Sequence, residues 1–459
     1  MGISMSGVDV TQKVGTISIS VSEDHPLALL SASLDWASMA KLVETDIKRT
    51  ATFWQKGRRI QVRTHLAAYL LQKIYDYTDR KTEYQIKDNA AAQVFCGRLT
   101  VDGWRAPDHT KIEEFRNRLS TETQRQLANS LSTLAVKHGF ADPQSVDFDS
   151  TVQEANVAYP SDACLLRKLG KMGGKIVNFF KEKFANLRSK VPAIDCQAIS
   201  KKAKEYFFLG KNKSIEIKRE VFKELLSTVK KNIKPIIEFC EKITEKDIAK
   251  MPWNIRRTIC QIQQDARQYL LDVAHFTRSH KIKVGKILSF HAKKLACISK
   301  GKVGKALEFG RVFQLARIGG NFLYTIECSS IRMNDKASFS ELVAEHEQLF
   351  GTENLRSVAA DKGYYSHKNR KLLESKNIPT VGLQKPGKAV DGDPAQKTLH
   401  YNRRAGIEPV IGHAKHGGQL GKSRMKSDGA TLAAGYGSVL GFNLRQMIRH
   451  SQGKYRQAA

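Results

Sequence analysis

The order of hydrophobic periods along this 459-residue chain predicts an α/β fold, a mixed sheet covered by helices. Three observations carry that expectation. Val146, Phe148 and Val152 alternate with Asp147, Asp149 and Thr151, the period-two pattern of a half-buried strand. After a long helical and basic stretch, strand patterns return in quick succession at 309–316 and 321–326. From there helices and strands alternate to the end of the chain. Three meandering strands followed by helix–strand repeats build a mixed sheet.

The elements follow in order. Residues 1 to about 25 are polar and weakly patterned, the composition of a flexible N-terminus. From Asp35-Trp36 to Gly139 the chain reads as short amphipathic helices, a helical domain over 26–140. One helix runs from Thr64 to Tyr75. A second follows Pro107, capped by Asp108 or Thr110, with Ile112, Phe115 and Leu119 on one face. A third spans about 122–138 with Leu127, Leu131 and Leu134 and ends at Gly139, a C-cap glycine. The first core strand lies within 141–164. Residues 165–285 form an all-helical, strongly basic insertion, with apolar faces such as Val221, Phe222, Leu225 and Leu226. The rest of the core occupies 286–459, with helices around Phe339–Leu349 and 366–375 and strands at 358–360 and 379–383. No fixed-period repeat stands out; Val-Gly-Lys recurs near 284 and 303 as a basic loop theme.

Composition narrows the partner. Seventy-six Lys and Arg against 45 Asp and Glu leave a formal charge of +31. That excess repels itself in a compact chain unless a polyanion neutralises it, so nucleic acid is the expected partner. No apolar run reaches the roughly 18 residues needed to span a bilayer, which argues against a membrane protein. The Met1–Ser6 stretch fits a loose myristoylation pattern that nothing else supports. Seven scattered cysteines with no C-x-x-C pair read as reduced thiols of a cytoplasmic protein.

The chemistry concentrates near the C-terminus. Tyr401, Arg404, Glu408 and Lys415 are spaced on helical periods. At about 100° per residue the last three share a narrow arc, with Tyr401 about 60° away. A polar stripe of this kind does not pack a core. It can hold a divalent metal through Glu408 while Arg404 and Lys415 grip a polyanion. Upstream, Asp149 lies on the polar face of its strand and Asp361 ends another. Asp147, on the same face as Asp149, is the alternative ligand. Three carboxylates converging from separate elements hold hard cations, two Mg²⁺ with Mn²⁺ as a substitute, and support in-line phosphoryl transfer.

The ordered markers resemble those of bacterial insertion-sequence transposases of the DDE class, the group with a Y-(2)-R-(3)-E-(6)-K signature. They include Asp35-Trp36, Pro107-Asp108-His109-Thr110, Asp149-Ser150-Thr151-Val152-Gln153-Glu154 and Tyr159-Pro160-Ser161-Asp162-Ala163. Ala360-Asp361-Lys362-Gly363-Tyr364 and the block from Arg403 through Glu408 to His413 follow in register. The resemblance implies a ribonuclease-H-like core with Asp149, Asp361 and Glu408 as the acidic triad on two Mg²⁺. It implies that Tyr401, Arg403, Arg404 and Lys415 contact DNA, that the N-terminal helices recognise transposon ends, and that a homodimer synapses two ends. Such enzymes cleave a strand and then join its 3′-hydroxyl to target DNA. A transposase-derived DNA-binding protein without catalysis, or a nuclease without joining, are the alternatives.

Several residues carry two readings. Pro409 predicts a kink, or a helix that begins near Glu408. Trp253 in the insertion is expected in a helix-packing core, with stacking on an unpaired base as the other reading. His413 and His416 are expected to be solvated or phosphate-facing. Lys300, Lys302 and Lys305 read equally as a solvated loop or as DNA phosphate contacts.

Overall fold

The structure is a computed structural model describing residues 10–14, 17–50, 60–98, 104–157, 161–184, 189–209, 214–281, 283, 285–302, 305–328, 333–388 and 392–458. The chain divides into two compact units, one formed by Met1–Asn156 with Ala296–Ala459 and the other by Val157–Leu295.

In the first unit, β1 (Val10–Val14) pairs antiparallel with β2 (Ile17–Val21), within the stretch expected to be an unpatterned N-terminus. Helices follow where the apolar period is 3.6, and their starts are set by side-chain caps. Asp35 accepts from the Ser38 amide at 3.1 Å, Asp108 from Lys111 at 2.9 Å and Ser120 from Thr123 at 3.1 Å. They begin Trp36–Arg49, His109–Arg118 and Thr121–Lys137. The last of these ends at Gly139, whose φ of +72° is the left-handed conformation a C-cap needs. Helix Val62–Tyr75 is buried along almost its whole length, and both it and Thr121–Lys137 pack against the 31-residue helix Asp428–Ala458.

The main sheet is mixed and has six strands. β3 (Ser145–Glu154) is central. β5 (Lys305–Ile318) runs antiparallel along one side of β3, and β7 (Ser357–Ala360) runs parallel along the other, followed by parallel β8 (Thr380–Leu383). The far side of β5 is shared: β4 (Ala296–Lys302) pairs with its beginning and β6 (Phe322–Thr325) with its end. Helices flank this sheet, among them Asp335–Phe350, His367–Ser375 and Pro394–His416. Val146 and Phe148 of β3, Phe313 and Leu315 of β5, and Val358 and Ala360 of β7 are all fully buried in one apolar core.

Two expectations about local structure are corrected. Lys300, Lys302 and Lys305 lie on paired strands, not in a loop; their side chains fall outside the described residues. β4 escapes the period-two test because its Lys and Gly residues suit a sheet edge, where charge blocks unwanted pairing. Helix Pro394–His416 runs unbroken through Pro409. Pro409 and Ala405, whose carbonyl would have received the missing amide, are both exposed, so water can serve that carbonyl.

The second unit is helical. Its main helices are Asp162–Lys183, Cys196–Phe208, Ile215–Glu241 and Trp253–Gln261, the last continuing through a π-helical turn at Ile262–Ala266 into Arg267–Ser279. Gly173 lets three isoleucines close in; a Cβ there would lie 2.9 Å from Ile194, Ile233 and Ile236. Trp253 is not part of this core but 67% exposed, with the Arg257 guanidinium over its ring at 5.4 Å. Standing at the first position of its helix, it points away from the apolar stripe of Ile255 and Ile259. Tyr159 and Pro160, and the Val-Gly-Lys positions 284 and 303, lie outside the described residues.

Candidate functional site

The parallel pairing of β3 with β7 aligns Val146 with Val358 and Phe148 with Ala360, the last pair in register. One residue beyond that pair stand Asp149 and Asp361, at the carboxyl ends of neighbouring strands. Side chains alternate, so both fall on the face opposite Phe148 and Ala360. Helix Pro394–His416 crosses that face. Asp149, Asp361, Tyr401, Arg404 and Glu408 all line one cavity there, of about 340 Å³. Segments more than 200 residues apart thus meet at the strand ends, where open sheets bind ligands.

Arg404 supplies counter-charge inside the cavity. Its guanidinium pairs with Asp361 and also donates to Gln384 Oε1 at 2.9 Å. Among the described residues no guanidinium or ammonium pairs with Asp149, which accepts a hydrogen bond from the adjacent Ser150 amide at 2.7 Å. Burial pushes its carboxyl up to about 6, and the nearby charges of Asp361, Asp335 and Glu408 push the same way. Three acidic side chains therefore concentrate negative potential around Asp149. Among the described residues, however, no three His, Cys, Asp or Glu side chains come close enough together to hold a metal ion.

Asp147, the alternative ligand on the same face, has a different role. It accepts from Arg317 Nε at 2.9 Å and from Arg403 Nε at 2.7 Å, and it is only 4% exposed. Arg317 is its cross-strand neighbour on β5, and Arg403 projects from the helix. Arg403 also donates to the Val146 carbonyl at 2.8 Å and to the Ser357 hydroxyl. Arg403 and Arg317 thus form a clamp that ties the helix to β3, β5 and β7. Gly406 makes room for this clamp, since a Cβ there would come within 2.8 Å of Arg317 Nη1.

A buried polar chain supports the Asp361 turn from below. Tyr364, fully buried, donates to Gln314 Oε1 at 2.5 Å, and Gln314 Nε2 donates to Asp335 at 2.8 Å. Gln314 sits opposite Ser150 in the sheet register, so the chain spans β5, the first turn of helix Asp335–Phe350 and the turn after β7.

The remaining expected residues lie apart from the cavity lining. Lys415 is further along the same helix and half-buried; His413 and His416 are exposed. Lys300 and Lys302 belong to the backbone of β4. Sequence reasoning missed Asp335, Gln314, Arg317 and Gln384. Asp335 reads as an ordinary acid in a helix's first turn, after the Asn334 cap. Arg317 lies one residue past the apparent end of its alternating strand.

Residues 16–118 match the family model described as a transposase domain (DUF772), which relates the chain in general terms to transposases of mobile elements. The match covers β2 and the helices up to His109–Arg118, ahead of the carboxylate-bearing sheet. No curated protein and no solved structure matches the chain. All seven cysteines are free thiols, and among the described residues no helix is long and apolar enough to cross a membrane.

Proposed function

We propose that the protein is a DNA transposase of the DDE class, with Asp149, Asp361 and Glu408 as its catalytic carboxylates. One observation carries the reading: three acids from distant parts of the chain, with Tyr401 and Arg404 of the same signature, line a single cavity. The transposase-domain match over 16–118 supports it independently. The antiparallel meander of β3, β5 and β6, followed by parallel β7 and β8, supports a ribonuclease-H-like core.

The donor set suits Mg²⁺, with Mn²⁺ as a substitute, because it offers carboxylate oxygens and no His or Cys in the cavity lining. Asp149, Asp361 and Glu408 would hold the metal. The chemistry two such ions supply is activation of an attacking water or 3′-hydroxyl and stabilisation of the leaving oxygen. The chain's own residues do the rest. Arg404, which neutralises Asp361, would bind a strand phosphate where that carboxylate serves the metal. Tyr401, 43% exposed at the cavity rim, meets the DNA strand, and Lys415 continues the phosphate track along the helix. The +31 charge draws the polyanion in, and two subunits would bring two ends together.

The test incubates purified protein with the DNA flanking its own reading frame, in Mg²⁺, and follows strand cleavage and joining. Asp361→Ala should abolish both while leaving DNA affinity within about twofold. Cleavage that survives the substitution refutes the assignment. The Arg404–Asp361 pair favours a second reading, a DNA-binding protein with no catalysis. DNA binding with no cleavage by the wild type in Mg²⁺ or Mn²⁺ would select it.

A further inference from the structure

A second polar cavity, of about 360 Å³, lies in the first unit away from the carboxylates. Helix Val62–Tyr75, the junction between helices His109–Arg118 and Thr121–Lys137, and the start of helix Asp428–Ala458 meet around it. Lys73, Arg116, Asn117, Gln124, Ser427 and Ala433 line it. Lys73 reaches the cavity over two glycines one turn apart. A Cβ at Gly437 would lie 3.0 Å from Lys73 Cε, and one at Gly441 would lie 2.1 Å from the Lys73 carbonyl oxygen. The lysine stem therefore lies tight against the long helix.

The charge balance at this cavity is incomplete. Two carboxylates stand nearby, and each is taken by an arginine: Asp79 by Arg116, with Gln72 also donating to it at 2.7 Å, and Asp76 by Arg424. The Lys73 ammonium lies 4.8 Å from the Tyr69 ring centre and has no hydrogen-bond acceptor among the described residues. Burial, then the Arg116 charge, lowers it to about 8, although Asp76 and Asp79 pull the other way. Arg445 adds positive charge behind it, donating to the Ile74 carbonyl at 2.9 Å. Asp428, in the first turn of the long helix, is not among the lining residues and faces Arg311. The positive end of a 31-residue helix dipole adds to the same field. Among the described residues this ammonium meets an aromatic face but no hydrogen-bond acceptor, and it stands beside a guanidinium and a helix start, a setting that suits an anion.

We propose that this cavity is a phosphate-binding site, filled by a phosphate of a bound DNA strand or by free phosphate. Neither the cavity nor its argument depends on the catalytic carboxylates. Arg116 and the polar edges of Asn117 and Ser427 supply donors of the kind phosphate oxygens take, and Lys73 supplies the charge.

The experiment measures thermal unfolding of the full chain in sodium phosphate against sodium chloride of equal ionic strength. It also measures the salt dependence of DNA affinity. Wild type, Lys73→Met and Ala433→Asp are compared. Lys73→Met keeps the stem while removing an unpaired charge, and Ala433→Asp places a carboxylate where the anion would sit, so both should fold. The expected result is a phosphate-specific rise in melting temperature in wild type that both variants lose. If the anion belongs to DNA, Lys73→Met also lowers the slope of log affinity against log salt by about one. An unchanged slope with a lost phosphate effect assigns the site to free phosphate. A phosphate effect that persists in both variants, or no effect together with an unchanged slope, overturns the proposal. Cleavage is not read in any arm, so failure here leaves the catalytic assignment standing.

Discussion

Asp147 and Asp149 are two residues apart on one face of one strand, and their substitution by asparagine should have opposite effects on stability. Asp147 is a buried anion holding two guanidinium groups, and the side chains of Arg317 and Arg403 are themselves only 15% and 12% exposed. Asp147→Asn leaves both cations without counter-charge. Removing one partner of a buried ion pair costs about 3–5 kcal/mol. The surviving bonds of Arg403 to Val146 and Ser357, and of Arg317 to the Arg403 carbonyl, favour the lower end of that range. Against a total stability of about 5–15 kcal/mol, this is a large fraction. For a chain of this size it corresponds to a fall in melting temperature of about 3–5 °C. Asp149→Asn instead removes a charge surrounded by Asp361, Asp335 and Glu408, with only a neighbouring amide to lose. Its melting temperature should equal or exceed that of wild type. Thermal unfolding followed by circular dichroism tests both. An Asp147→Asn protein as stable as wild type, or an equal loss in Asp149→Asn, refutes the division between clamp and reactive acid.

Two other outcomes follow from burial. His346 is fully buried, with Nδ1 3.1 Å from the Tyr324 hydroxyl, and burial lowers it to about 4. A neutral histidine in the fold contributes fully above its unfolded value near 6.5, and the contribution falls away as pH drops towards 4. It amounts to about 3 kcal/mol over that window. His346→Phe should flatten urea-unfolding stability between pH 6.5 and 4.5, and an unchanged slope would assign the effect elsewhere. Trp253→Ala, at an exposed position, should change stability by less than about 0.5 kcal/mol. A loss of about 3–5 kcal/mol, the range for a core tryptophan, would restore the core reading.

Much of the sheet was legible because strands that cover a core must alternate. The pattern in Val146–Val152 located β3, and those at 309–316 and 321–326 located β5 and β6. Elements whose side chains answer to other demands were less visible. β4 lies at an edge, where lysines replace the alternating pattern, and β1–β2 is a two-stranded ribbon apart from the main sheet, its alternation of Ile17, Ile19 and Val21 too short to stand out. The exposed Pro409 misled for the same reason. Helix propensity records the lost amide but not whether water can reach the orphaned carbonyl.

The candidate site divides along a similar line. The spacing of Tyr401, Arg404 and Glu408 sets their common face on the helix and follows from sequence alone. Which of two acids on β3 is tied up in ion pairs does not, because it depends on partners 170 and 256 residues away in the chain. Strand pairing brings Arg317 beside Asp147, and helix docking adds Arg403; neither reaches Asp149. The same clamp holds the helix that carries Arg404 and Glu408 against the strand ends that carry Asp149 and Asp361. A loosened clamp should therefore spread the cavity's acids apart as well as weaken the fold. Under the proposed transposase reading, an Asp147→Asn protein studied well below its melting temperature should lose metal-dependent cleavage more than DNA affinity, since the charges proposed to bind DNA extend beyond the clamp.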